Sequence, residues 1–234
     1  EAYENSGGQR VLLIGHSAGG WLARAALGDG IWCTERNLRS SDRVKCLTTL
    51  GSIHRVPTDP STCVTRGALR YTDQNYPGSF LNSEGIQYVS VGGKAIEGST
   101  STTITTTTDN PDMFTTPSSN NDASKVAYAS YEAVAGYGNA IGDGVVPLDW
   151  TQLEESTQII LDDVVHSINE AGTTIPTDRW YGSEQVIDRW LPQVMQQASI
   201  VSPVDTSSST NSNSGLLSNW ISGFISNNFT SSNK

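Results

Sequence analysis

The pentapeptide Gly15-His16-Ser17-Ala18-Gly19 stands between the apolar run Val11-Leu12-Leu13-Ile14 and the alanine-rich stretch Ala18 to Leu27. An apolar run of strand length, a glycine-flanked serine and a helix-favouring segment together read as strand, sharp turn and helix. Such a turn forces the serine into a strained backbone conformation, and a Cβ at Gly15 or Gly19 is expected to collide with the neighbouring chain, with Gly20 giving further room. The turn lifts the Ser17 hydroxyl above the sheet edge. It also aims the backbone N–H of Ala18, at the helix N-terminus, at the place where an oxyanion would develop. The competing reading is a glycine-rich turn whose serine only caps the helix.

The rest of the chain repeats the alternation. Arg10 to Ile14 reads as a fully buried strand in the middle of a sheet, and Val44 to Leu50, Ile86 to Val91 and Thr157 to Leu161 as further strands. A short helix is expected near Val64 to Tyr71. A final helix is expected from Gly182 or Ser183 to about Gln197, with Val186, Ile187, Trp190, Leu191 and Val194 at helical spacing and Pro192 as a kink. Strands separated by helix-length connections imply an α/β fold, a mostly parallel sheet with helices on both faces.

Two segments depart from this pattern. Ser99 to Lys125 holds 14 Ser or Thr in 27 residues, so it reads as a mobile loop, either a lid over the site or an inert insertion. Residues 199–234 read as a disordered tail after a domain spanning 1–198. Within the tail, Leu216, Leu217, Trp220, Ile221, Phe224 and Ile225 suit a short amphipathic helix that docks on the domain or makes peripheral membrane contact. The sequon at Asn228 has meaning only in a secreted protein.

Composition excludes several classes. Fourteen basic against 24 acidic residues give a net charge of −10, with no basic cluster to track a phosphate backbone, so nucleic acid is not an expected partner. The apolar runs fall far short of the ~20 residues a bilayer span needs. Cys33, Cys46 and Cys63 lack CxxC spacing and are odd in number, which argues against a zinc site or a disulfide framework and favours free thiols, with one disulfide and a spare thiol as the alternative.

A serine nucleophile needs a base, and the histidines are His16, His54 and His166. His166 follows the last strand, where a loop returns over Ser17, and is the first choice; His54, just past a strand end, is the runner-up and otherwise a pocket residue. The chain direction carries the His16 side chain away from the Ser17 hydroxyl, so it reads as a packing or pocket residue beside Trp21. Asp143, between Gly142 and Gly144, suits the acid that orients the base, with Asp162, Asp163 or a merely turn-forming Asp143 as alternatives.

These blocks resemble the α/β-hydrolase superfamily, and more narrowly the lipase-like hydrolases of plants and algae related to triacylglycerol lipases and the glycosylphosphatidylinositol inositol-deacylase-like group. The resemblance spans about Gln9 to Gln197. It rests on Gly15 to Trp21, Leu47 to His54, Gly142 to Pro147, Val165-His166-Ser167 and Trp180 to Ser183. It implies Ser17, Asp143 and His166 as nucleophile, acid and base, Ala18 as an oxyanion donor, and hydrolysis of carboxylic esters, acyl lipids first, with no cofactor or metal. An acyltransferase or thioesterase using the same residues, and a non-catalytic lipid-binding protein, are the alternatives. Where these lipase-like proteins usually have Thr-Pro-His, this chain has Ser52-Ile53-His54. Family members also carry about four strands and the second oxyanion loop before the elbow, so the chain resembles the C-terminal part of such a hydrolase. A plastid location is implied by the resemblance alone.

Overall fold

The computed structural model describes residues 1–28, 40–100 and 119–198. The chain divides into a unit Glu1–Ile200 and a second, Val201–Lys234, the latter outside the described residues. The tail with its apolar island, residues 101–118 of the Ser/Thr-rich segment, and Cys33 also lie outside them.

In order, the described elements are α1 (Ala2–Asn5), β1 (Val11–His16), α2 (Ala18–Leu27), α3 (Ser40–Arg43), β2 (Val44–Leu50), α4 (Ala68–Asn75), β3 (Gln87–Lys94), β4 (Ile96–Glu97), α5 (Ser119–Ala135), β5 (Ile141–Gly142), β6 (Thr157–Asp162) and α6 (Glu184–Gln197). Four strands form a sheet in the order β1-β2-β3-β6, with every neighbouring pair parallel. A two-stranded antiparallel ribbon, β4 with β5, sits beside it.

The register explains why the sheet is covered on both faces. Leu13, Leu47 and Tyr88 line up across β1, β2 and β3 and pack with Leu27 of α2. The alternate residues Cys46, Leu50, Val89, Val91, Ile159 and Leu161 point the other way, against Val186, Trp190 and Val194 of α6. Period-two alternation in the strands therefore meets the four-residue spacing of α6, and two apolar layers sandwich one α/β sheet. Among the described residues, no helix is long and apolar enough to cross a membrane. Cys46 and Cys63 are free thiols, both buried.

Several expectations are corrected. β1 lies at an edge of the sheet, and its first three residues are half-buried rather than fully buried, with Ile14 45% exposed, because β2 is its one pairing partner among the described residues. The helix expected near Val64 starts at Ala68, since Gly67 takes a left-handed φ of 92° and the Thr65 hydroxyl accepts the Leu69 N–H at 3.0 Å. The Ser/Thr-rich segment is not loop to its end: α5 begins at Ser119, and Ala127 and Tyr131, one turn apart, are fully buried. Pro192 lies inside α6 on its exposed side, so the helix runs through it and the carbonyl left without its N–H partner faces solvent.

Candidate active site

The turn from β1 into α2 is as tight as the sequence predicts. Ser17 has φ 53° and ψ −127°, a positive φ that costs a side-chain-bearing residue about 1–3 kcal/mol and persists only when its surroundings enforce it. The enforcement is visible: the Ser17 N–H donates to the Leu50 carbonyl at the end of β2 (2.9 Å), and the Ser17 carbonyl accepts from Gly20 (3.0 Å). A Cβ on Gly15 would fall 2.5 Å from the Gly19 carbonyl oxygen and 2.7 Å from the Gly20 Cα, so Gly15 is sterically required. The expectation for Gly19 is wrong, because nothing lies within 4 Å of a Cβ there. The crowded residue is Gly20, where a Cβ would meet the Ser52 hydroxyl at 2.5 Å and the Thr49 Cβ at 3.0 Å. Gly20 thus lets α2 press onto the end of β2.

Three side chains from separate segments join in series. The His166 Nε2 lies 3.0 Å from the Ser17 Oγ, and the His166 Nδ1 lies 2.8 Å from the Asp143 Oδ2. The backbone adds a second tie, the His166 N–H donating to the Asp143 carbonyl at 2.9 Å. Asp143 and His166 are both buried, whereas Ser17 is half-buried at the surface of the turn. Asp162 and Asp163 are exposed and paired with Lys94 and Arg189, so neither replaces Asp143.

The carboxylate is fixed from all sides. Its Oδ1 accepts the N–H groups of Val145 (3.0 Å) and Val146 (2.8 Å), closing the turn that Gly144, at φ 96°, allows. Its Oδ2 accepts from His166 and also from the Tyr181 hydroxyl at 2.9 Å. Tyr181 is fully buried, and burial, then the charge of Asp143, push its phenol well above the ordinary value, so it stays a donor. The Tyr181 hydroxyl oxygen in turn accepts the Gly93 N–H at 2.7 Å. Behind the turn, the Tyr131 hydroxyl of α5 accepts from Gly144 at 2.9 Å and donates to the Ile96 carbonyl at 2.9 Å. Burial raises this phenol too.

Sequence reasoning missed three supports: Tyr181, Tyr131 and Gly51. At Gly51, φ is 55° and a Cβ would sit 2.8 Å from the Asp143 Oδ2 and 3.1 Å from the His166 Nδ1. The signals were partial: a Trp-Tyr-Gly-Ser block around Tyr181, the four-residue spacing of Ala127 and Tyr131, and a glycine directly after a strand.

The three residues assigned to a pocket part company. The His16 Nε2 donates to the His166 carbonyl at 3.0 Å, and its ring lies 4.8 Å from that of His166 and 6.2 Å from that of Trp180. Burial, then the charge of His166, lower its basicity, so His16 is a clamp on the loop bearing His166 rather than a pocket wall. His54 is 3% exposed and its Nε2 bonds the Thr49 hydroxyl at 2.9 Å; the partner of Ser17 is His166. Trp21 lines an apolar cavity of about 340 Å³ between α2 and α4, with Ala25 and Tyr71 on its walls. Ala18 opens α2 directly after Ser17.

Such an arrangement can move a proton from the serine hydroxyl to an imidazole whose resulting charge faces a fixed carboxylate. The chain matches no protein-family model, and no curated protein matches it.

Proposed function

We propose that the chain is a serine hydrolase that cleaves carboxylic esters through an acyl-enzyme on Ser17. The observation that carries this reading is the unbroken series from the Ser17 hydroxyl to His166 (3.0 Å) to Asp143 (2.8 Å), with the serine held at positive φ. His166 accepts the Ser17 proton as the oxygen attacks the ester carbonyl, and the imidazolium then protonates the departing alcohol. Water, deprotonated by His166, attacks the acyl-enzyme, and the proton returns to Ser17 as the acid leaves. Asp143 keeps its negative charge throughout and holds the Nδ1 proton in place. The Ala18 N–H is the assigned oxyanion donor; removing one such donor typically costs ~10²–10³ in rate.

The α/β-hydrolase resemblance points to acyl lipids as the substrate class, and the apolar cavity beside Trp21, one helical turn after Ser17, is a reasonable place for an acyl chain. The test is intact mass after treatment with a serine-directed fluorophosphonate, with Ser17→Ala as control. One adduct, absent from the variant, supports the reading. No adduct on a folded chain refutes it and leaves a binding protein.

A further inference from the structure

Away from the serine, a second group of chemistry-bearing side chains has no part in the proton series. Arg24 lies on α2 and is 0% exposed, yet its Nε, Nη1 and Nη2 have no hydrogen-bond partner among the described residues. Among the described residues the nearest carboxylate oxygen, the Asp73 Oδ1, is 3.8 Å from Nη2, and that carboxylate is 39% exposed and so shared with water. A guanidinium taken out of water without hydrogen-bonded compensation is one of the most costly groups a fold can bury. Beside it, His54 is 3% exposed with its Nδ1 also unpartnered among the described residues.

Arg24 and His54 line one cavity of about 400 Å³. Burial, followed by the charge of Arg24, pushes the His54 imidazole down to about 3, so it is neutral. In the tautomer in which the Thr49 hydroxyl donates to Nε2, the His54 proton sits on Nδ1, which has no partner among the described residues. The cavity therefore borders a planar fork of cationic N–H groups and one imidazole nitrogen, all buried and none hydrogen-bonded among the described residues.

We propose that this cavity binds a small organic carboxylate. A planar carboxylate matches the guanidinium fork with two parallel bonds. Arg55 also lines the cavity but is exposed and paired with Asp149 at 3.4 Å, so Asp73 and Glu154 in the same lining disfavour a dianion such as sulfate or phosphate, since each added negative charge meets theirs. Val56, Pro77 and Leu153 complete the lining with apolar surface, which suits a short hydrocarbon body behind the carboxylate. The inference is independent of the chemistry at Ser17.

The experiment is a titration of the full chain with sodium isobutyrate, followed by saturation-transfer NMR at constant ionic strength. Saturable binding is expected with a dissociation constant of about 1 mM or tighter. Arg24→Met weakens it by about tenfold or more, the cost of losing charge-assisted hydrogen bonds. Asp73→Asn, at a partly exposed position, tightens it several-fold by removing the competing charge. Ser17→Ala leaves it unchanged, and equimolar sulfate does not displace the ligand. The proposal is overturned by a folded chain that shows no saturable binding, by binding indifferent to Asp73→Asn, or by binding lost in Ser17→Ala. Should Arg24→Met fail to fold, Asp73→Asn and Ser17→Ala decide alone.

Discussion

Replacing Tyr181 with phenylalanine removes one oxygen atom and two hydrogen bonds. In the native chain that oxygen accepts the Gly93 N–H at 2.7 Å and donates to the Asp143 Oδ2 at 2.9 Å, in a place with no solvent. Orphaning the buried N–H costs about 1–3 kcal/mol, and losing a hydrogen bond to a carboxylate about 1.5–3 kcal/mol. Phenylalanine recovers part of this because it has no hydroxyl to desolvate, leaving a net loss of about 3 kcal/mol. In urea unfolding followed by tryptophan fluorescence, a slope near 3 kcal/mol/M converts this to a midpoint lower by about 1 M. The carboxylate keeps Val145, Val146 and His166, so the serine should still be labelled by a fluorophosphonate, about tenfold more slowly at a temperature where the variant is folded. A stability loss below about 1 kcal/mol, or labelling at the native rate, would refute the idea that Tyr181 ties the acid to β3.

Gly20→Ala should destabilise the chain by several kcal/mol and abolish labelling, because its Cβ would lie 2.5 Å from the Ser52 hydroxyl, whereas Gly19→Ala, with open space around it, should be close to neutral. Equal effects of the two, read by thermal unfolding, would contradict the packing described. His54 makes the fold acid-sensitive: its imidazole is depressed from 6.5 to about 3, so above 6.5 it costs nothing, and stability falls as pH drops from 6.5 toward 3 because the unfolded chain takes up the proton first. At pH 5 this loss is about 2 kcal/mol, so His54→Gln should lose about that much less than the native chain between pH 7 and pH 5. Parallel stability curves for the two would rule His54 out as the source.

What the sequence alone makes legible is local. The elbow and four strands announce themselves through contiguous apolar runs and turn glycines, and Ala18 to Leu27 and Val44 to Leu50 match the observed elements residue for residue. The order Ser17, Asp143, His166 likewise needs only chain direction. The start of α5 is hidden because Ser/Thr-rich composition masks a helix whose buried residues, among those described, are Ala127 and Tyr131. Gly19 reads from the sequence as crowded alongside Gly15, where Gly20 is the second crowded position, because the clash at Gly20 comes from Ser52 and Thr49, which are distant in sequence. The supports of Asp143 were invisible for the same reason: Tyr181 is 38 residues away from it. The orphaned Arg24 looks from its sequence position like an ordinary basic residue near a helix C-terminus.

The proton series also sets a timetable. Ser17 and His166 are 149 residues apart, so the serine leaves the ribosome long before its base exists as polypeptide. At about 5–20 residues per second, the interval is roughly 7–30 s. Throughout that time the hydroxyl is an ordinary alcohol, and it gains its partner only when β6 has taken its place beside β3 and the segment after it has folded back over the turn. On the proposed reading, a nascent chain that has not reached His166 is unreactive, and reactivity toward a serine probe reports that synthesis has passed His166 and that the site has closed.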